Sequence, residues 1–307
     1  MTDQYPISEQ YGRCTEFSIV VPTYNEERNL PRLLASLLSQ RGIEFEIVVV
    51  DQESSDRTPQ IAADAGCLVL KRRRAAFYSP PAASRNAGVA ASRGKYIVNL
   101  DADMELSDGD FLESLRGLFS EDTQAVILHE RDVATGYWSK VKALERLCYT
   151  GSSIESARAV TRELFDKVGG YNATISSGED YDISHRYALH TKVHTDHPLT
   201  VNHHTGRVQL SSLLKKKFSY GRTVNQYLRE SRSTGGPTAM TLISTHLMCF
   251  IRRRDLLVTD PGHYLGIFLL RALEFMAIVL GMGFRAVGLS SEPDLRRLDH
   301  SEHSRLS

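Results

Sequence analysis

The sequence predicts an α/β protein: a mostly parallel central sheet flanked by helices, followed by a helical C-terminal extension. Three observations carry that prediction. Short β-branched runs alternate with helix-period segments from Phe17 to Leu70, and such alternation closes into a parallel sheet with right-handed crossovers. Two of the apolar runs end in carboxylates, Asp51 and Asp101, on the edge where sheets of this kind bind ligands. After Gly206 the strand pattern stops, and apolar segments with basic clusters replace it.

Taken in order, residues 1–16 carry no period and read as a loose leader. Phe17-Ser18-Ile19-Val20-Val21-Pro22 is a buried strand closed by proline. A polar turn from Thr23 to Glu27 leads to Leu30, Leu33, Leu34, Leu37 and Leu38, which fall at helical spacing up to about Gln40. The second strand covers 45–51. Ser54, Ser55 and Asp56 cap a helix through Ala65, and Gly66 stops it before a third strand at 67–70. Lys71-Arg72-Arg73-Arg74 leaves that strand on the ligand edge, either as a solvated loop or as a contact for diphosphate. A proline-containing loop at 78–81 precedes a helix from Ser84 to Arg93, ended by Gly94. The fourth strand runs into Asp101-Ala102-Asp103. Beyond it the pattern predicts helices at 108–119 and 138–150, a strand at 125–129, and a short helix at 161–171 broken by Gly169 and Gly170. A helix at 177–189 and strands at 192–195 and 199–204 complete this part.

Composition narrows the function. The 307 residues suffice for one large domain with an extension. Charged residues at 24% and apolar residues at 41% are ordinary for a globular protein. Lys+Arg and Asp+Glu number 37 each, so bulk charge steers no ligand and nucleic-acid binding has no support. The four cysteines show neither a C-x-x-C pair nor metal-finger spacing, and the N-terminus lacks an apolar signal core. Both point to a reduced, cytoplasmic protein.

Two acidic groups stand out. Desolvating Asp101 and Asp103 side by side at a strand end is costly without a partner. A hard divalent cation is the natural one, because it takes oxygen ligands and neutralises a bound phosphate as well. Glu179, Asp180 and Asp182 are more carboxylates than the first turn of a helix needs.

These stretches together resemble the family-2 glycosyltransferases of the GT-A, Rossmann-like fold. The matching segments are Ile19-Val20-Val21-Pro22-Thr23-Tyr24-Asn25-Glu26, Ile47-Val48-Val49-Val50-Asp51, Ser54-Ser55-Asp56-Arg57-Thr58, Ala83-Ser84-Arg85-Asn86-Ala87-Gly88, Leu100-Asp101-Ala102-Asp103, Val168-Gly169-Gly170-Tyr171 and Gly178-Glu179-Asp180-Tyr181-Asp182. Each alone is weak; all of them in the family's order are specific for fold and reaction class. The resemblance implies a catalytic domain at 17–207; beyond it the change of pattern after Gly206 marks a helical extension at 208–290, and the polar composition after Ser290 reads as a disordered tail at 291–307. It implies a nucleoside-diphosphate sugar as donor, UDP- or GDP-linked, and Mn²⁺ or Mg²⁺. Pro22, Thr23, Tyr24 and Glu26 would line the base and ribose pocket, and Asp51 would bond the base. Arg85 would lie close to the donor phosphates. Asp101, with Ala102 beside it, would meet ribose or metal-bound water, and Asp103 the metal. Asp180 would be the general base on the acceptor, oriented by Glu179, and one base with direct displacement implies inversion. A histidine completes the metal shell in some related enzymes. His203 and His204 are the candidates, with His204 favoured, although a partly buried strand-end histidine would look the same.

In the extension, Lys215-Lys216-Lys217 and Arg252-Arg253-Arg254 sit beside apolar helices. That combination suits either an anionic membrane surface or packing on the catalytic domain or a second subunit, as a homodimer. The apolar stretch 264–284 is nearly long enough to cross a bilayer, but Arg271 and Glu274 near its centre argue against a lone span. Spaced i,i+3, they can pair on one helix face. On the membrane reading the acceptor is a glycan or a lipid-linked species. Two other functions compete. A nucleotidyltransferase would need a glycine-rich phosphate loop where Val20 to Glu26 stands. A degenerate, membrane-associated scaffold would not need Glu26, Asp51, Asp101, Asp103 and Asp180 all intact.

Overall fold

The computed structural model describes residues 15–74, 81–152, 155–174, 178–233 and 248–286. Its strands are β1 (Phe17–Thr23), β2 (Phe45–Asp51), β3 (Leu68–Lys71), β4 (Tyr96–Asn99), β5 (Met104–Leu106), β6 (Ala125–Val126), β7 (His129–Ala134), β8 (Ala159–Thr161), β9 (Val193–His194) and β10 (Thr200–Gly206). Its helices are α1 (Leu30–Leu38), α2 (Thr58–Asp64), α3 (Pro81–Ala91), α4 (Phe111–Arg116), α5 (Tyr137–Tyr149), α6 (Arg162–Lys167), α7 (Glu179–Ala188), α8 (Leu210–Ser233), α9 (Asp255–Thr259) and α10 (Pro261–Ala286). A seven-stranded sheet runs β3-β2-β1-β4-β8-β6-β9, and a three-stranded sheet runs β5-β10-β7.

Strands β1 to β4 pair in parallel, as the alternation predicts. Period-two burial splits β1 between two cores. Phe17, Ile19 and Val21 pack with Leu30, Leu33, Leu34 and Leu37 of α1, whereas Val20 packs with Val89, Ile97 and Val160 on the other face. Every one of these side chains is essentially buried, so the leucine spacing of α1 is a core face.

The structure adds three features that the sequence pattern does not show. Strand β8 enters antiparallel between β4 and β6, at residues the pattern leaves unassigned apart from Thr161, the first of the predicted short helix. The run at 125–129 divides between the two sheets, as β6 and the start of β7. β5 forms directly after Asp103 and pairs antiparallel with β10. Helix bounds also differ: α3 starts at Pro81 and α4 covers only Phe111–Arg116. The leader up to residue 14, most of the proline loop, the apolar segment at 239–247 and the tail lie outside the described residues.

The extension packs on the catalytic part through α5. Val141, Cys148 and Tyr149 of α5 share a core with Tyr264, Ile267 and Leu270 of α10. α8 and α10 run antiparallel, with Gly221 against the Ile278 backbone and Gly281 against that of Phe218. Arg271 and Glu274 do pair, at 3.1 Å, and Arg271 also reaches Glu145 at 2.5 Å.

Candidate active site

A cleft of about 310 Å³ opens at the carboxyl ends of the parallel strands. Pro22, Thr23, Tyr24 and Glu26 from the turn after β1 line it, with Asp101, Ala102, Asp103 and His203 opposite. The turn is held by a zipper to the loop after β2. Asn25, in a left-handed conformation at φ 55°, donates its N–H to Ser54 Oγ at 2.8 Å and accepts from Ser55 N–H at 2.8 Å. Glu26 N–H donates to Thr58 Oγ1 at 2.7 Å, and Glu27 N–H to Asp56 at 3.2 Å. The Asn25-Glu26 and Ser54-Ser55-Asp56 motifs are therefore two halves of one fastening. Arg74, from the basic run, lies 3.6 Å above the Tyr24 ring at the cleft wall. Burial raises the Glu26 carboxyl, opposed by the Asn29 amide and reinforced by Asp103 and Asp101.

Asp51 ends β2 and is buried. Its carboxylate accepts from Thr23 Oγ1 at 3.2 Å, Ser54 Oγ at 2.5 Å and Ser54 N–H at 3.0 Å. In this state it is turned into the fold and braces the two loops.

Arg85 stands behind the cleft, not in it. The sequence places it near donor phosphate, but its guanidinium is buried and both terminal nitrogens are engaged. Nη2 donates to Asp101 Oδ1 at 2.8 Å, Nη1 to Asp180 Oδ1 at 2.6 Å, and Glu179 lies 3.9 Å away. The physical reason is α3 itself. Gly88 presses its backbone against Val20 with no room for a Cβ, and Asn86 clasps Tyr171 N–H and C=O at 2.8 Å each. This close seat on β1 drives Arg85 beneath the aspartates and explains the R-N-x-G and G-G-Y motifs together. Asp180 and Glu179 sit in the first turn of α7, behind Gly178 at φ 85°. Burial and the neighbouring Asp180 charge raise the Glu179 carboxyl.

Two further residues belong to this floor. Arg158, buried just before β8, donates to Asp101 Oδ2 at 3.0 Å and through Nε to Glu130 Oε1 at 2.8 Å. Burial alone would raise the Asp101 carboxyl, but Arg158 and Arg85 bring it down to about 2. Glu130 on β7 also meets Arg146 of α5 and His203 Nδ1, the latter at 3.1 Å. Neither residue falls in a motif. A lone arginine among Ala157, Ala159 and Val160 was nonetheless a signal, since a buried guanidinium requires a buried counter-charge.

Of the two histidines, His203 faces the cleft. Its Nε2 lies 3.2 Å from Asp103 Oδ2. His204, which the sequence reading favours as the ligand, points the other way: side chains alternate along β10, and its Nε2 meets Glu105 at 2.7 Å. Burial would lower the His203 imidazole, but Asp103 and Glu130 on either side push it up to about 10. Among the described residues no group of three or more side chains forms a ready-made metal cage. The pair still fits a cation. Neighbouring ligands of an octahedral Mg²⁺ stand about 3 Å apart, close to the observed 3.2 Å between His203 and Asp103. Such ions are commonly held by one or two protein ligands, with water and substrate phosphates supplying the rest.

A family model described as Glycosyl transferase family 2 matches residues 18–178, just over half of the 307-residue chain. The chain belongs to glycosyl transferase family 2. Among curated relatives, the succinoglycan biosynthesis protein ExoO of Rhizobium meliloti (strain 1021) is 37% identical over 96 residues, 30% of this chain and 26% of that protein. The pre-mycofactocin glycosyltransferase of Mycobacterium tuberculosis is 28% identical over 225 residues, 67% of this chain and 46% of that protein. An uncharacterized glycosyltransferase of Haemophilus influenzae is 27% identical over 176 residues, 54% of this chain and 59% of that protein. The chain thus spans less than two thirds of the length of these relatives. Among solved structures, the mannosyltransferase PcManGT from Pyrobaculum calidifontis, in complex with GDP-Man and Mn2+, superposes with a TM-score of 0.57 at 15% identity, covering 96% of this chain and 81% of that one. S. aureus TarS 1-349 in complex with UDP-GlcNAc superposes at 0.50 with 17% identity, covering 92% and 94%. At these identities the two likenesses establish the GT-A fold. The α/β architecture and the membership of the family thus stand on independent grounds.

Proposed function

We propose that the chain is a metal-dependent, inverting transferase that moves a sugar from a UDP- or GDP-linked donor to an acceptor hydroxyl or phosphate. The observation that carries this is Arg85, whose two terminal nitrogens tie Asp101 on the cleft side to Asp180 on the α7 side. A donor-facing carboxylate and a candidate base are thereby held on one rigid fork. Asp103 and His203 would hold Mn²⁺ or Mg²⁺, with Asp101 bracing the site from within. The cation, when bound, supplies Lewis-acid neutralisation of the diphosphate leaving group. Pro22, Thr23, Tyr24 and Glu26 line the nucleoside side, and Asp51 fixes that turn.

Asp180 accepts the proton as the acceptor oxygen bonds to the anomeric carbon and the bond to the diphosphate oxygen breaks. A single displacement from the opposite side inverts the configuration. Glu179, buried and raised, orients the acceptor. The bacterial relatives named for succinoglycan and pre-mycofactocin support a biosynthetic role. The partners implied are the donor, a glycan or lipid-linked acceptor, and an anionic membrane surface on the cytoplasmic side.

The test begins with thermal-shift screening of UDP- and GDP-sugars in Mn²⁺ to find the donor. Asp103→Ala should then abolish Mn²⁺-dependent transfer; full activity would remove the metal role. Asp180→Asn should keep nucleotide binding while transfer falls about 100- to 10,000-fold, the usual contribution of a general base. Collapse of binding in that variant would overturn the base assignment.

A further inference from the structure

The outer face of α10 has no partner among the described residues. Leu265, Leu269, Phe275 and Leu280 are each more than half exposed, and Phe268 and Val279 nearly so. From Leu265 to Met282 no charged side chain falls on this face, a stripe about 26 Å long at the helical rise. An exposed apolar band of that extent marks an interaction surface.

The opposite face shows how the helix must lie. Tyr264, Ile267, Leu270, Glu274 and Ala277 are turned inward. Arg271 is bound to Glu145 at 2.5 Å and to Tyr149 Oη at 2.9 Å, and Gly266 abuts the Tyr137 ring. Helix α10 is thus riveted through its amino half to α5, a helix of the catalytic part that carries its own charges, and through its carboxyl half to α8. A crossing orientation would take those charges into hydrocarbon. Composition alone would allow a span over Pro261–Gly283; the packing does not.

Charge selects the occupant. Arg252 and Arg254 are exposed at the amino end of the stripe, while Arg253 is paired with Asp255. Lys215 and Lys216 are exposed on α8, one turn before it crosses the carboxyl half of α10. A second copy packed on this face would set net-positive ends against each other in either orientation, because Arg252, Arg253 and Arg254 outnumber Asp255 and Asp260 at one end and Lys215 and Lys216 stand at the other. Anionic headgroups complement both ends at once.

We infer that α10 seats the enzyme on an anionic bilayer, lying flat with its outer face in the headgroup–acyl boundary. Amphipathic helices bind so, about 5–10 Å deep. The inference rests on the membrane part of the proposed function and specifies its element and orientation. It does not depend on the donor chemistry. Strand β10, which carries His203, is followed in the chain by α8, the helix that packs on α10.

Vesicle flotation of the full chain tests this. The wild type should float with phosphatidylglycerol–phosphatidylcholine vesicles and about 100-fold less, or lower still, with phosphatidylcholine alone. The double variant Leu269→Glu/Phe275→Glu changes exposed positions only, and should lower partitioning about 100-fold or more. Arg252→Glu/Arg254→Glu should lower it about 30-fold or more. No flotation of the wild type, or flotation unchanged by Leu269→Glu/Phe275→Glu, overturns the inference. So does light scattering that shows a dimer dissociated by those two changes, because the face then belongs to a second copy. Donor hydrolysis with Mn²⁺, measured without vesicles, reads the cleft separately. Turnover without flotation sinks the membrane seat alone, and flotation without turnover sinks the donor reading alone.

Discussion

Seven side chains form an unbroken chain of ionic contacts under the cleft: Asp180, Arg85, Asp101, Arg158, Glu130, His203 and Asp103. Each contact orients the next, and Glu130 is the link whose role is most specific. By bonding His203 Nδ1 it fixes the ring so that Nε2 faces Asp103, the arrangement in which an outer carboxylate sets a metal-binding histidine. Glu130→Gln keeps the shape and removes the charge. It should weaken Mn²⁺ binding about 10- to 100-fold, read by calorimetry with UDP or GDP present. That loss should vanish in a His203→Ala background, where the ring Glu130 acts on is gone. A loss that persists there would make Glu130 merely structural. His204→Ala should leave Mn²⁺ affinity unchanged. At this scale the sequence displayed the ends of the chain, Asp180 and Asp101-Ala102-Asp103, because those lie in contiguous motifs. It hid Arg158 and Glu130, because they meet Asp101 and His203 only through the pairing of β7, β8 and β10 with distant strands. It could not choose between adjacent histidines, since that choice depends on which face of β10 turns inward.

Among the elements, the parallel strands and α1 to α3 were legible because each carries a full period and a terminal signal. β5 and β8 were not, since three residues hold no period and pair only in context, and the run at 125–129 gave no sign that it divides between β6 and β7. Close helix contacts were equally hidden. Gly221 and Gly281 leave no room for a Cβ between α8 and α10, each facing the other helix's backbone carbonyl. Backbone cannot step aside as a side-chain tip can. Gly281→Val should therefore push the helices apart and cost about 1–3 kcal/mol, the usual penalty for overpacking. Chemical denaturation should register this loss. The thermal shift produced by nucleotide and Mn²⁺ should survive, because the turn after β1 and the loop after β2 are fastened independently of α8. An equal stability in the variant would mean that the two helices do not hold each other at this crossing.

Across the whole molecule, α5 joins the site to the extension through two consecutive residues. Arg146 reaches Glu130 and Asp132 beside the cleft, while Glu145 turns to Arg271 of α10 and to Lys142 and Tyr149 of its own helix. Glu145 is buried, which alone would raise its carboxyl; Lys142 and Arg271 instead hold it at about 2, against an ordinary 4.5. The folded value lies below the unfolded one, so the stabilisation is complete above pH 4.5 and is lost as pH falls toward 2. Its size is about 3 kcal/mol at 1.36 kcal/mol per pH unit. Urea unfolding of the wild type should accordingly show stability declining from pH 5 to pH 2. Glu145→Gln should begin less stable at pH 7 and decline over the same range by about 3 kcal/mol less. The difference between the two curves isolates this one group from Asp101 and Glu130, whose lowered carboxyls act in both proteins. Parallel curves would show that the extension is held to the catalytic part by its apolar contacts, with the buried charges contributing nothing to the pH dependence.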